Sequence, residues 1–196
     1  MPELNKTITR RGLLAGLAVA LALASPGLAA TGEHPSKAYM KQVAKDLLAA
    51  HRQGTVSAFL RAIQRHADVP DIAIYSLGQY SKKLANAQRQ LYYRGVATFM
   101  ARYFADQTRT YRVAKFEIGE ATVDDDKAIR ITSKVFLMDG NSYTVTWRLE
   151  LRGKSYKVTD AKMLGFSLVY LQRGIFQSYL SKKQGDVGAL VAALNR

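Results

Sequence analysis

The sequence contains no cysteine. Structural disulfides, thiolate metal sites and cysteine redox chemistry are therefore excluded. Only three histidines occur in 196 residues. His34 lies in a short polar leader. His51 and His66 fall near the ends of the first two helical stretches, where a surface imidazolium complements the helix dipole. No HExxH or GxSxG motif and no Gly-rich phosphate loop occurs in a usable place; the glycines at 12 and 16 belong to an N-terminal apolar segment. The chain has no internal repeat, no low-complexity tract and no linker after residue 36. Beyond residue 30 no run approaches the ~20 apolar residues that cross a bilayer.

What is present begins with an export signature. Lys6, Arg10 and Arg11 form a positive region, Leu13 to Ala24 is apolar, and Ser25-Pro26-Gly27 breaks the helix before small residues. This order reads as a cleaved signal peptide over residues 1–30, with cleavage expected after Ala29 or Ala30. Thr9-Arg10-Arg11-Gly12-Leu13-Leu14 is similar to the twin-arginine export motif. The alternative is a general secretory signal that contains two arginines. Export implies an envelope location and removes nucleic acid as the partner of a basic chain. Loss of residues 1–30 takes away Lys6, Arg10, Arg11 and Glu3, so the formal charge falls from +14 to +12. Outside the cytoplasm the acidic counterparts are lipid headgroups, polysaccharide and acidic protein surfaces.

The remaining chain is long enough for one domain, residues 31–196, with a sizeable core. Apolar spacing predicts helices over 37–53, from Thr55 as N-cap through Ile63, over 71–77, and over 86–107 with Asn86 as cap. On the last of these Leu91, Tyr92, Val96, Phe99, Met100 and Tyr103 form a wide apolar arc, with Ala101 opposite. From Tyr111 the period changes to two. Residues 111–123, 127–138, 142–152 and 155–163 read as strands, joined by turns that include Asp139-Gly140-Asn141 and Gly153. Gly165 breaks the fourth strand, and a helix follows over 168–182, with Leu168, Val169, Ile175, Phe176 and Tyr179 on one side. A short helix over 186–195 ends the chain. The expected fold is α+β: a curved four-stranded antiparallel sheet (NTF2-like) with helices packed on one face to form an apolar cavity.

Chemistry-bearing groups are sparse. Asp124-Asp125-Asp126 reads as a solvated turn rather than a cation site. Asp160, beside the strand-to-helix junction, is a candidate base, or it organises the turn or pairs with Lys162. Eleven tyrosines are many for this length. They serve packing, or several line an amphiphile site with hydroxyls toward its mouth.

Three segments carry a resemblance. They are Leu77-Gly78-Gln79-Tyr80 with Ala87-Gln88-Arg89 and the helix to Tyr103; Thr146-Trp147-Arg148 leading to Lys157-Val158-Thr159-Asp160; and Gly165-Phe166-Ser167-Leu168 with its helix, Gly185-Asp186 and Leu190. In order and spacing the chain from about Tyr39 to Leu194 resembles the MlaC family of periplasmic phospholipid-binding proteins, known also as the toluene-tolerance family. It departs at Leu164, where the family usually has an acid, and at Tyr80, often Trp.

The resemblance implies a periplasmic carrier without catalysis and without a cofactor or metal. Such a carrier shuttles phospholipid, or hopanoid in a related branch, between an outer-membrane lipoprotein complex and an inner-membrane ABC transporter with an MCE-domain subunit. Acyl chains need an apolar cavity that shields their methylenes, each worth ~0.8 kcal/mol when buried. The candidate lining residues are Val96, Phe99, Ile131, Val135, Val145, Trp147, Met163, Phe166, Val169 and Phe176, with Arg89 at the mouth to meet phosphate. The competing readings are a small enzyme using Asp160, and an interaction module docking on an acidic envelope partner.

Overall fold

Helices precede the sheet, as the change of apolar period implies. The computed structural model describes residues 33–196 apart from 125 and 127. The expected export segment and Asp125 lie outside the described residues. Helix α1 (Pro35–Gln53) carries proline in its first turn and ends at Gly54, whose φ of 63° supplies the left-handed cap. Helix α2 (Val56–His66) is capped by Thr55, whose hydroxyl accepts from the Ala58 N–H at 3.3 Å. Helix α3 (Val69–Leu77) starts two residues earlier than the apolar spacing suggests. Pro70 fits its first turn, and Asp68 caps it by accepting from the Asp71 N–H. Short 3₁₀ segments, Gly78–Lys83 and Asn86–Gln88, lead into α4 (Arg89–Gln107). Asn86 therefore opens a 3₁₀ turn and caps nothing.

The sheet is a meander of β1 (Val113–Val123), β2 (Ile129–Leu137), β3 (Ser142–Arg152), β4 (Ser155–Met163) and β5 (Phe166–Ser167), antiparallel throughout. It has five strands rather than four. Gly165 does not simply break the fourth strand. Leu164 and Gly165 form a two-residue turn that returns the chain, so Phe166 pairs with Met163 and Ser167 with Lys162. Helices α5 (Leu168–Lys182) and α6 (Val187–Leu194) follow.

One face of the sheet packs on the helices. Met40 and Val43 of α1 meet Ile129, Ile131, Leu149 and Val158. Val113, Val135, Val145 and Ala161 continue that layer toward Leu48 and Leu168. Thr132, Lys134 and Thr144 on the other face are exposed. A bulge between β3 and β4 puts Leu149 opposite Val158 and Arg148 opposite Asp160, leaving Thr159 as the extra residue. Val158 and Ala161, three apart, thus both reach the core. The helices form two further clusters. In one, α2 packs Phe59 and Ile63 against Ala97 and Ala101 of α4. In the other, Tyr92 and Val96 of α4 meet Phe176, Leu180 and α6.

Candidate functional site

A cavity of about 310 Å³ lies where these layers meet. Val43 and Leu47 come from α1, Ala62, Ile63 and His66 from α2, and Ile72 from α3. Helix α4 supplies Phe99, Met100, Tyr103 and Phe104. Trp147 comes from β3; Val158, Asp160 and Ala161 come from β4. Leu168, Val169, Leu171, Gln172 and Ile175 complete the wall from α5. Tyr103, Leu171 and Ile175 line the cavity yet are exposed, so they mark its mouth.

Most of the polar groups on this wall are tied to the protein. Trp147 donates its indole N–H to the Ser133 hydroxyl at 2.8 Å, which explains a buried serine on the apolar face of β2 and leaves the ring free to pack. Gln172 is buried. Its amide donates to Ser76 at 2.8 Å, and Ser76 donates to the Ile72 carbonyl, fastening α5 to α3. His66 is buried, with Nε2 2.8 Å from Asp46 Oδ2 and Nδ1 without a partner among the described residues. Burial alone would raise the Asp46 carboxyl, but the hydrogen bonds from His66 and Arg65 outweigh it and hold the group below its ordinary range. The expectation of a surface His66 is thus corrected.

Asp160 serves the junction. Its Oδ1 accepts from the Ala161 N–H at 2.8 Å and from the Val169 N–H at 3.3 Å. Ser167 accepts from the Tyr170 N–H at 3.0 Å. Together they satisfy two of the unpaired amides at the start of α5, and the carboxylate suits that end of the helix dipole. Asp160 thus organises the turn and is not paired with Lys162. In the acidic turn, Asp124 pairs with Arg130 and Asp126 with Arg148, and no group of acids or histidines suited to a metal occurs among the described residues.

Of the eleven residues expected at a lipid site, Phe99, Trp147 and Val169 line this cavity. Phe176 backs the wall, its ring edge-on to Phe99 at 5.2 Å, and is buried with Val96 among α4, α5 and α6. Ile131, Val135, Val145 and Met163 belong to the layer between sheet and helices. Phe166 is 64% exposed on the short β5. Arg89 is exposed as the first residue of α4. Phe99 lies ten residues on, or ~15 Å along the helix, so Arg89 stands at the far end from the mouth. Of the tyrosines weighed as lining, Tyr103 alone lines the cavity. Tyr92 is a core residue donating to the Ala73 carbonyl at 2.9 Å. Ala62, Ala161, Gln172 and His66 also line the cavity and, being small or polar, leave no apolar stripe in the sequence; Leu47, Ile63, Ile72, Met100, Leu168, Leu171 and Ile175 do leave one, but only the docking of their helices brings them to this wall.

Among the described residues no helix is long and apolar enough to cross a membrane. No curated protein is significantly similar to the chain. Among solved structures, the fold is similar to that of a phospholipid-binding protein from Ralstonia solanacearum in complex with a phospholipid. The identity is 21% and the TM-score 0.66, over 81% of this chain and 94% of that one. Residues 36–196 match the MlaC protein family, and the chain belongs to that family.

Proposed function

We propose that this protein is a periplasmic lipid carrier. It holds the acyl part of a phospholipid in the cavity and shuttles it between the outer and inner membranes as the soluble component of an ABC-type transport system. The observation that carries the reading is the cavity in a chain of this family. Its wall is almost wholly aliphatic and aromatic, the Gln172, Trp147 and Asp160 side chains on it are engaged by the protein, and it opens at Tyr103, Leu171 and Ile175. An apolar slot of this kind shields methylenes from water and offers no constellation for bond chemistry. The likeness to a phospholipid-bound structure supports the same cargo. The export signature supports the compartment, and with it the inner-membrane transporter bearing an MCE-domain subunit and the outer-membrane lipoprotein complex as partners.

Native mass spectrometry and lipid extraction of protein purified from the periplasm test this. Bound phospholipid is the expected finding, and a hopanoid would redirect the cargo assignment while keeping the carrier. Val169→Trp fills the cavity near its mouth and should abolish the bound lipid. Clean apo protein in repeated preparations, with no uptake from liposomes, would overturn the reading.

The enzyme alternative has one observation in its favour, since Asp160 does reach the cavity wall. The carboxylate is committed to capping α5, so Asp160→Asn should leave lipid loading in place and lower stability instead.

A further inference from the structure

The rim of the cavity carries a feature that cargo binding does not require. Leu164 is 73% exposed and Phe166 64%, at the tip of the β4–β5 hairpin. Tyr170, Leu171 and Ile175 follow on the outer side of α5, Ile175 at 54%. Leu171 and Ile175 also line the cavity, so the α5 part of the exposed patch reaches the mouth. Helix α5 therefore has two apolar faces: Phe176 and Leu180 enter the core, while Tyr170, Leu171 and Ile175 face solvent. A surface helix ordinarily turns polar residues outward, and a contiguous apolar patch marks a binding surface.

The hairpin turn adds a second observation. Leu164 and Gly165 both have positive φ, 52° and 84°. Two-residue turns of this kind favour Asn-Gly or Asp-Gly, because a short polar side chain tolerates the left-handed region. Leucine is strained there, and no burial of its side chain offsets the strain. A residue that costs the fold stability and stands in solvent is placed for contact with something else.

Charge indicates what that is. Residues 161–185 contain Lys162, Arg173, Lys182 and Lys183 and no acid. Lys182 lies two helical turns beyond Ile175, on the same side of α5. Arg173 turns to the other side of α5, where the Tyr75 carbonyl at 3.3 Å and the Tyr75 ring at 4.9 Å hold it, so Lys162 and Lys182 are the basic groups nearest the rim.

We infer that this rim docks on the surface of an anionic lipid bilayer, with Leu164 and Phe166 inserted shallowly and Lys162 and Lys182 among the headgroups. The cavity mouth is thereby set against the leaflet. The inference rests on the carrier reading for its purpose, and on the rim alone for its evidence. Leu164, Phe166 and Tyr170 project from a hairpin tip and a helix without lining the cavity, which suits a fluid surface. Tyrosine belongs at the boundary of apolar and polar layers, and basic residues are drawn to anionic headgroups.

The test is co-sedimentation of the protein, expressed from its full sequence and purified from the periplasm. The vesicles are phosphatidylcholine with or without phosphatidylglycerol. Wild-type protein should bind the anionic vesicles, less so as salt rises. Leu164→Asn with Phe166→Ser should weaken binding about tenfold or more through lost apolar insertion. Lys162→Gln should weaken it roughly fivefold on anionic vesicles and not on neutral ones. Leu151→Ser removes an exposed leucine at the opposite end of the sheet and should change nothing. Leu164→Asn alone should raise the unfolding temperature by about 2–4 °C as the turn relaxes, which separates lost docking from lost folding. Bound lipid is measured on the same samples. Lipid-free wild-type protein would defeat the carrier reading alone. Lipid-loaded protein that ignores both kinds of vesicle would overturn the docking surface, as would a double variant that sediments like wild type. A protein partner at this rim would give the first of those two results.

Discussion

His51 ends α1 and would be read from sequence as a surface group beside a helix dipole. In the fold its Nε2 accepts a hydrogen bond from the Val113 N–H at 3.0 Å, tying the end of α1 to the start of β1. That bond requires the neutral ring, and burial pushes the imidazole below its ordinary value. The folded state therefore binds this proton less readily than the unfolded chain does. The stabilisation is present above the unfolded pKa of about 6.5 and is lost as pH falls below it. Thermal unfolding should shift to lower temperature between about pH 7 and pH 5. His51→Gln supplies an amide oxygen to the same N–H and should flatten that part of the profile. Asp46 belongs to a different window. Its carboxyl is held below the ordinary range, so its contribution disappears only as pH falls through that lower value. A flat wild-type profile from pH 7 to pH 5 would remove His51 from this role. These two residues also show where single-residue reading stops. Side-chain type and position along a helix gave a surface dipole role to both histidines. Their partners, Val113 and Asp46, are set by how α1 meets β1 and α2, which no local window contains.

At the level of elements, the strands and helices were legible because their periods are strong: β3 and β4 run over the expected residues, and α5 starts at the expected Leu168. Their faces were less so. Spacing set Ile175 inward on α5 and Ala101 outward on α4, but Ile175 is exposed and Ala101 is fully buried. An apolar side chain signals burial only when nothing else needs it at the surface, and alanine gives almost no signal at all. Helix α4 is buried on two sides because its small residues let neighbours approach. Ala97 and Ala101 admit α2, and Gly95 admits the end of α6. A Cβ at Gly95 would lie 2.8 Å from Leu194 Cβ and 2.7 Å from Asn195 Nδ2. Asn195 in turn donates to the Leu91 and Val191 carbonyls, so it has little freedom to withdraw. Gly95→Ala improves intrinsic helix propensity by roughly 1 kcal/mol, and that gain should lose to overpacking of about 1–3 kcal/mol. Urea unfolding should show a lower midpoint with an unchanged slope. A midpoint equal to or above wild type would mean that α6 packs more loosely than this geometry has it.

Over the whole molecule, the candidate site was legible as a kind of wall and not as a set of residues. The expectation of an apolar space between sheet and helices needed only amphipathic elements. Its lining needed their docking. The cavity is walled by side chains from α1 through α5 and two strands, at the meeting of four core clusters. Neighbouring clusters meet through Met100, Leu47 and Trp147, which also line the cavity, so the space widens where these side chains move. Its size bears on this directly. At ~30 Å³ for a group the size of a water or a methylene, 310 Å³ holds on the order of ten such groups. One acyl chain fits in large part, and a second chain requires the clusters to separate. Lipid held there as proposed would act as part of the core, present in the folded state only, and stability would be linked to its concentration. Protein stripped of lipid and protein reloaded from liposomes should differ in unfolding temperature by about 5–10 °C at ligand well above its dissociation constant. In Val169→Trp the indole occupies the site, and that difference should vanish while the stripped form melts no lower than stripped wild type. Equal unfolding temperatures for stripped and reloaded wild-type protein would mean that the clusters, not the cargo, close the core.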